Sequence, residues 1–422
     1  MHLDRTERQA HVEPGMGTEA FQIHVADAVL DDLRLRLQQT RFTDVARDSS
    51  WQQETGSAWL RELVGYWETT YDWRRHEARL NILPQFTAQL DDADGGDGPR
   101  IHFIHQRGQG ARPTPLLLLH GWPDSFYRFH KVLPTFTGTG ADAGGDTYDV
   151  VVPSLPGFAF TGRVPRATPD RPARQSAQLI WRLMTEVLGY QRFAVAGGDG
   201  GSVLAQILAI DHPENVIGVH LTDLGWHASN IDPATASKAE QKYLEAARKQ
   251  FLTEGAYTMV QTTRPRSLAA GLNDSPIGLA SWIVDRFRAW SDAHGKLDTV
   301  FSKDDLLTNI MLYWVTQTIG SSMFQYYAEA RSPSLTPAER VTVPVGVALF
   351  PKDIGGVPPR SLAARTLNVQ RWTEMPRGGH FAALEQPELF ARDVMAFFHP
   401  LVAAPEQLLI EPASHHRVAP LL

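Results

Sequence analysis

The segment AVAGGDGGSVLAQILA, residues 194–209, constrains the fold of this chain more than any other stretch. Its pattern predicts an apolar strand, a tight turn in which four glycines surround Asp199, and an apolar helix. A strand, turn and helix in this order form an elbow that exposes the central side chain, and such elbows carry nucleophiles. The residue at the centre of such a turn is usually serine, whereas this chain has a carboxylate.

Apolar runs on both sides of the elbow predict the sheet around it. PLLLLHGWP, YDVVVPSLPG and VIGVHLTD are continuous apolar stretches, which is typical of parallel strands buried on both faces. From about residue 224 to residue 334 helical patterns replace these runs, and the strand VTVPVGVALFP and the helix ELFARDVMAFF come afterwards. We therefore expect an α/β protein with one doubly wound, mostly parallel sheet and a helical cap insertion.

This alternation also sets the expected segments. We assign residues 1–20 to a leader, 101–223 to the first part of the core, 224–334 to the cap, 335–400 to the second part of the core and 401–422 to a tail.

The composition excludes several classes of function. A net charge of −7 disfavours nucleic acid and anionic membrane surfaces as partners. The absence of cysteine removes thiolate nucleophiles and cysteine-ligated metals. No window offers about 18 consecutive apolar residues, so we expect no membrane anchor and a cytoplasmic location. His102 and His105 would point to opposite faces of a strand, which disfavours a metal site there.

A second candidate element is HGWP, residues 120–123, at the end of the apolar run LLLL. A strand that ends in His-Gly before a turn can present a backbone N–H as half of an oxyanion hole. We assign this N–H to Trp122 and the second N–H to Gly200, the residue after Asp199. Trp122 and Pro123 are also the predicted substrate-binding residues.

The candidate base is His380, in the segment MPRGGHFAALEQPELF after the last apolar strand. It follows Asp199 at the end of a strand, in the chain order nucleophile, acid, histidine. The acid between them is expected on the turn after the preceding strand, which makes Asp353 in ALFPKD the first choice. Asp223, at the end of VIGVHLTD, is the alternative because a different strand could also deliver a carboxylate to the histidine.

A carboxylate at the elbow suits attack on a saturated carbon. A serine would form an ether there, which a histidine-activated water could not cleave. A carboxylate forms an ester instead, and its carbonyl can be hydrolysed with the help of a His–acid pair and an oxyanion hole. The chemistry therefore points to epoxides or alkyl halides as substrates, with water as the second reactant and no metal or organic cofactor.

The motifs GGDGGS, HGWP, FPKD and GGHFAALEQPEL, in this order, resemble the microsomal-type epoxide hydrolases of the α/β-hydrolase fold. The resemblance runs from about residue 20 to residue 400 and includes YDWRRHEARLNILPQF followed by IHFIHQRG. It implies that residues 21–100 form the amino-terminal arm of that family, wrapped around the core and cap. It also implies an epoxide hydrolase that forms a vicinal diol through a covalent aspartyl ester.

By this resemblance Asp199 is the nucleophile, Asp353 the acid and His380 the base. The family also uses two cap tyrosines to protonate the opening epoxide oxygen, and these match Tyr257 in GAYTMVQTTRP and Tyr326 in SSMFQYYAEA. Tyr327 is adjacent, so a shift by one residue stays open at that position.

One departure from the family bears on the substrate. The family usually has tryptophan directly after the nucleophile, and this chain has Gly200, which keeps the N–H but removes an indole from the pocket wall. We therefore expect a bulky natural-product epoxide as substrate. Two alternatives remain at this point: a haloalkane dehalogenase-like hydrolase, for which Trp122 would be the remaining halide donor, and a catalytically silent ligand-binding relative. A homodimer is also left open.

Overall fold

The computed structural model describes residues 17–43, 57–90, 98–140, 146–162, 170–225 and 231–403. Residues 1–16 of the expected leader and residues 404–422 of the expected tail lie outside the described residues.

Nine strands of the described chain form one sheet: β1 Thr18–Ala20, β2 Gln85–Gln89, β3 Arg100–Gln106, β4 Thr114–Leu119, β5 Tyr148–Pro153, β6 Phe193–Gly197, β7 Val216–Leu221, β8 Val341–Leu349 and β9 Leu367–Glu374. Their order across the sheet is β1-β2-β3-β5-β4-β6-β7-β8-β9. The strands from β4 to β9 run parallel to one another. At one edge β3 pairs antiparallel with β5, and β2 pairs antiparallel with both β3 and β1.

The apolar runs of the sequence occupy the middle of this sheet. β5 and β6 are buried along their whole length, because each is flanked by strands and covered by helices. The core helices are α4 Leu133–Thr137, α5 Pro172–Arg182, α6 Gly200–Asp211, α13 Arg360–Ala363, α14 Ala382–Glu385 and α15 Pro387–Ala403. The prediction of a doubly wound, mostly parallel sheet is confirmed.

Between β7 and β8 the described residues form helices and no strand. These helices are α7 Lys238–Glu254, α8 Ala256–Thr263, α9 Pro265–Asp274, α10 Pro276–Trp290, α11 Lys303–Thr316 and α12 Ile319–Glu329. They form the expected cap over the carboxyl ends of the strands. Among all helices of the described ranges, none is long and apolar enough to cross a membrane.

The amino-terminal arm contains β1, β2 and three helices, α1 Asp27–Gln38, α2 Ser57–Thr69 and α3 Trp73–Leu80. It joins the cap to the edge of the sheet. Tyr66 donates a hydrogen bond to Asp304 Oδ1 over 2.8 Å, and Tyr71 Oη lies 3.1 Å from Thr308 Oγ1, so α2 and the segment after it are tied to α11.

Two expected boundaries differ from the structure. Residues 18–20, assigned to the leader, form β1 and pair with β2. A strand of three residues is held by backbone hydrogen bonds and is too short for a recognisable apolar pattern. At the other end α15 extends to Ala403, into the segment that was assigned to the tail from residue 401.

Candidate active site

The turn between β6 and α6 raises Asp199 above the edge of the sheet. Asp199 has φ 57° and ψ −127°, a backbone conformation that residues other than glycine rarely adopt. The neighbouring glycines make the turn possible. A Cβ at Gly201 would lie 2.1 Å from the carbonyl oxygen of Leu119, and a Cβ at Gly197 would lie 2.4 Å from that of Gly201. The strand and the helix can therefore meet only without side chains at these positions.

The carboxylate of Asp199 is held by two backbone N–H groups. Trp122 N–H donates to Oδ1 over 2.9 Å, and Gly200 N–H is the second backbone donor. The other oxygen, Oδ2, faces His380 Nε2 at 3.4 Å. Burial disfavours the charge, but the contacts to His380, Trp122 and Gly200 outweigh it and lower the pKa of Asp199 from its ordinary value. Asp199 is therefore an ionised carboxylate at neutral pH.

His380 lies between two carboxylates. Its Nδ1 is 2.8 Å from Asp353 Oδ1, which makes Nδ1 the protonated nitrogen and turns Nε2 towards Asp199. Burial lowers the pKa of the imidazole, but Asp353 and Asp199 act more strongly and raise the pKa of His380 well above its ordinary value. All three side chains are largely buried, so solvent screens these interactions little.

Asp223, the alternative acid, lies beneath the elbow. Its Oδ2 accepts the N–H of Asp199 over 2.6 Å and the hydroxyl of Ser202 over 3.0 Å, and its Oδ1 accepts the N–H of Gly225. Burial raises the pKa of Asp223 to about 6, and the nearby carboxylate of Asp353 adds to the rise. Of the two acids, Asp353 contacts the imidazole, whereas Asp223 accepts hydrogen bonds from the turn that carries Asp199.

Tyr257 and Tyr326 approach the carboxylate from the cap. The ring of Tyr257 stacks on Trp122 with 5.5 Å between centroids, and Tyr326 meets the same indole edge-on at 5.8 Å. The two tyrosines are hydrogen-bonded to each other. Burial and the charge of Asp199 raise the pKa of Tyr257 to about 12 and that of Tyr326 well above 10, so both phenols are protonated.

Tyr327 points elsewhere. Its ring lies 3.4 Å from the guanidinium carbon of Arg331 and stacks on Phe324 at 5.3 Å. The structure therefore brings Tyr326, and not its neighbour, to the centre of the site.

Pro123 was predicted to contact the substrate, but it is not part of the cavity walls next to Asp199. Its carbonyl oxygen accepts a hydrogen bond from Asn309 Nδ2 over 2.8 Å, so it anchors the HGWP turn to α11. Trp122, one residue earlier, does line a cavity wall.

Sequence reasoning missed two residues that contact the histidine loop. Arg128 is fully buried, pairs with Asp124 and donates to the carbonyl oxygen of His380 over 2.6 Å. Trp290 is the last residue of α10, and its carbonyl oxygen accepts the N–H of His380. Its ring lies 4.9 Å from the ring of Tyr257, tilted by 59°. Neither residue has a local sequence signal for this role, because the histidine loop that each contacts is more than 80 positions away in the chain.

No three histidine, aspartate or glutamate side chains in the described part of the chain converge as a metal ion would require. His102 lies within 3.0 Å of Ser154 and Gln85, and His105 lies 2.9 Å from Tyr190. Both imidazoles are therefore engaged with neighbouring side chains in the core.

Two cavities meet at Asp199. The larger, of about 320 Å³, lies between the strand ends and helices α7 and α8, and Tyr257 and His380 form part of its wall. The smaller, of about 90 Å³, lies between α6 and α12 and includes Tyr326. They share Asp199, Gly200 and Val203. A Cβ at Gly200 would meet only Gly121 Cα, at 3.7 Å. Gly200 therefore leaves space open at the junction between the two cavities.

Comparisons with known proteins show which family the chain belongs to. Residues 18–129 match the family model described as epoxide hydrolase N terminus, and residues 114–268 match the model described as alpha/beta hydrolase fold. The chain is 37% identical over 395 residues to a putative epoxide hydrolase of Stigmatella aurantiaca, covering 92% of this chain and 86% of that protein. It is 32% identical to epoxide hydrolase 1 of Oryctolagus cuniculus, covering 89% and 88%.

A solved structure gives the same result. The epoxide hydrolase of Aspergillus niger superposes with a TM-score of 0.78 at 30% sequence identity, covering 92% of this chain and 97% of that one. Both the amino-terminal arm and the sheet with its cap are thus shared with these enzymes. The chain belongs to the epoxide hydrolases, enzymes that hydrolyse epoxides, and has their α/β-hydrolase fold.

Proposed function

We propose that this protein converts an epoxide to a vicinal diol in two steps, through a covalent ester on Asp199. The observation that carries the proposal is the pair of contacts around one carboxylate. Oδ1 is held by a backbone N–H at 2.9 Å, while Oδ2 faces the imidazole of a His–Asp pair at 3.4 Å. This arrangement suits first attack by the carboxylate and then hydrolysis of the ester it forms.

In the first step Asp199 Oδ2 attacks an epoxide carbon, and the bond from that carbon to the ring oxygen breaks. Tyr257 or Tyr326 donates its proton to the alkoxide as it forms. A phenol is a suitable donor because it stays protonated at neutral pH yet is far more acidic than the alcohol produced. The proton that the phenol loses is replaced from the imidazolium of His380.

The second step requires a neutral imidazole, and the first step provides it. Esterification removes the charge of Asp199, one of the two carboxylates that raise the pKa of His380. Neutral His380 then takes one proton from a water molecule, whose oxygen attacks the ester carbonyl. The N–H groups of Trp122 and Gly200 stabilise the oxyanion, and Asp353 stabilises the imidazolium.

Collapse of this intermediate returns the starting state of the enzyme. The bond between the carbonyl carbon and the substrate oxygen breaks, and the second proton of the water passes to that oxygen. The products are a diol, the carboxylate of Asp199 and the imidazolium of His380. One original oxygen of Asp199 leaves with the diol, and the oxygen of the water remains on the enzyme.

The two alternatives fit less well. Displacement of a halide needs no proton donor, whereas two hydrogen-bonded phenols lie above Asp199. A ligand-binding relative without catalysis would have no need for a nucleophile, a base and an acid within hydrogen-bonding range of one another.

The test separates the two steps. The His380→Gln protein should react once with trans-stilbene oxide and stop at the ester, so intact-mass analysis should show a gain of one substrate and peptide mapping should locate it on Asp199. Asp199→Ala should show no gain. His399→Gln, which changes an exposed histidine, is the matched control and should turn over normally.

An isotope experiment checks the order of events. One turnover of the unmutated enzyme in heavy-oxygen water should leave the label in the carboxylate of Asp199. Label found only in the diol would mean that water attacks the epoxide directly, and the ester mechanism would have to be abandoned.

The junction at Gly200 supports a bulky epoxide as the substrate. Without a side chain there, a substrate centred on Asp199 can extend into both cavities. Gly200→Trp should separate them and raise the ratio of kcat/KM for styrene oxide to that for phenanthrene 9,10-oxide. Gly200→Ala, which adds one methyl group, is the control for the loss of glycine itself. An unchanged ratio in the tryptophan variant would contradict the bulky-substrate proposal.

A further inference from the structure

The loop that carries His380 is bound to the end of a cap helix. The N–H of His380 donates to the carbonyl oxygen of Trp290 over 2.8 Å, and the N–H of Gly378 donates to Asp292 Oδ2 over 2.9 Å. A Cβ at Gly379 would lie 2.5 Å from the same carbonyl oxygen of Trp290, so the two segments are in close contact. The position of the histidine is therefore linked to the segment that follows α10.

One buried carboxylate joins both sides of this contact. Glu385, the last residue of α14, accepts the N–H of Phe381 at Oε1 over 2.9 Å. Its Oε2 accepts the N–H of Gly379 over 3.0 Å and that of Asp292 over 2.9 Å. The residues directly before and after His380 are thus held by the same group that holds the cap segment.

Asp353 and Glu385 control different parts of the histidine. Asp353 contacts Nδ1 and so sets the rotation of the ring, whereas Glu385 holds the backbone from which the ring projects. Attack by Asp199 on the epoxide does not use the imidazole as a base. Hydrolysis of the ester does, and it requires Nε2 to face a water molecule next to the ester carbonyl.

We propose that Glu385 is a positioning residue for His380 in the ester-hydrolysis step, and this rests on the two-step function proposed above. The carboxylate holds the histidine loop and the end of α10 in one arrangement, so that Nε2 keeps its direction after the charge of Asp199 has been lost. A displacement of about 1 Å in such a base can slow a reaction by about 10²-fold.

The test needs a pH at which Glu385 is ionised. Burial raises the pKa of Glu385 to about 7, while the N–H groups of Asp292 and Phe381 act in the opposite direction. Experiments at pH 8.5 therefore examine the ionised group. The substitution Glu385→Gln removes the charge and leaves one carbonyl oxygen for three N–H donors, with an amide NH₂ facing at least one of them.

The test measures the two half-reactions separately with trans-stilbene oxide. In Glu385→Gln we expect ester formation within about threefold of the unmutated rate and ester hydrolysis slower by about 10-fold to 100-fold. The ester should then accumulate at steady state and appear in the intact mass, and kcat and KM should fall together while kcat/KM is nearly kept. Glu388→Gln, an exposed glutamate in the first turn of α15, is the matched control.

A general loss of structure would give a different result. Equal slowing of both steps, or a lower melting temperature with no accumulated ester, would overturn the proposal. If Glu385→Gln does not fold, Glu385→Asp keeps the charge on a shorter side chain and is held to the same criteria. Absence of an ester in His380→Gln would instead refute the two-step function, so the two failures are distinguishable.

Discussion

Replacement of Gly201 by alanine should disrupt the elbow, and replacement of its neighbour Gly200 should not. The added Cβ at Gly201 would lie 2.1 Å from the carbonyl oxygen and 2.5 Å from the carbonyl carbon of Leu119, and 2.8 Å from the carbonyl oxygen of His120. All three atoms belong to the backbone at the end of β4. At Gly200 the only neighbour of the added Cβ is Gly121 Cα, at the ordinary contact distance of 3.7 Å.

The size of the destabilisation in Gly201→Ala depends on how far the backbone atoms around the added Cβ can move. A carbon and an oxygen in van der Waals contact are more than 3 Å apart, so β4 and α6 must separate by about 1 Å, in a sheet that is closely packed. Overpacking of this kind costs about 1–3 kcal/mol, and displacement of the hydrogen bonds between β4 and β6 adds to that cost. We therefore expect Gly201→Ala to lower the free energy of unfolding by about 3 kcal/mol or more. Gly200→Ala should change it by at most about 1 kcal/mol, since alanine also favours the helix.

Chemical denaturation followed by circular dichroism measures both changes. Activity gives an independent reading, because movement of β4 displaces the N–H of Trp122 from Asp199, and ester formation should fall sharply in Gly201→Ala alone. Equal stability of the two alanine variants would refute the argument that the elbow requires glycine on steric grounds.

Three further predictions concern the site and the core. Tyr257→Phe and Tyr326→Phe should each slow ester formation by about 10-fold, because the remaining phenol can partly replace the one that was lost. The double variant should be slower by about 10²-fold to 10⁴-fold. Near-normal single-turnover rates in the double variant would contradict the role of the two phenols as proton donors. Asp353→Ala should still form the ester but hydrolyse it at least about 10²-fold more slowly, as seen by quenched-flow mass analysis, and rapid hydrolysis would argue against its part in orienting the base. Burial opposes the charge of Asp393, but hydrogen bonds from His220 and an arginine of β9 lower the pKa of Asp393 to about 2. This lowered pKa contributes about 2 kcal/mol to the unfolding free energy, which is present above pH 3.8 and lost as the pH falls towards 2. Asp393→Asn should therefore flatten the dependence of unfolding free energy on pH in that window.

Much of the fold was accessible from local patterns. The elbow is recognisable because its glycines, its preceding strand and its following helix lie within 16 consecutive residues. The strands at the middle of the sheet are recognisable because burial on both faces leaves continuous apolar runs. β1 was missed because three residues paired through their backbones carry no periodicity.

The site was accessible only in part. Sequence order favoured Asp353 over Asp223, yet both follow parallel strands, and the local pattern alone could not say which carboxylate meets the imidazole. Their different contacts depend on how β7 and β8 end relative to the histidine loop. The hydrogen bond between the carbonyl oxygen of Pro123 and Asn309 was not accessible for a similar reason, because α11 is distant in the chain.

The sequence by itself determined which side chains are available for chemistry: a carboxylate on a glycine elbow, a later histidine and an acid between them. Only the tertiary structure decided which polar side chains form hydrogen bonds with the histidine loop and the cap. Arg128 reaches the histidine loop across 252 positions, and Glu385 reaches the cap across 93. Such contacts leave no local pattern, since the polar groups that pair in the buried core are brought together only when the sheet, arm and cap close around them.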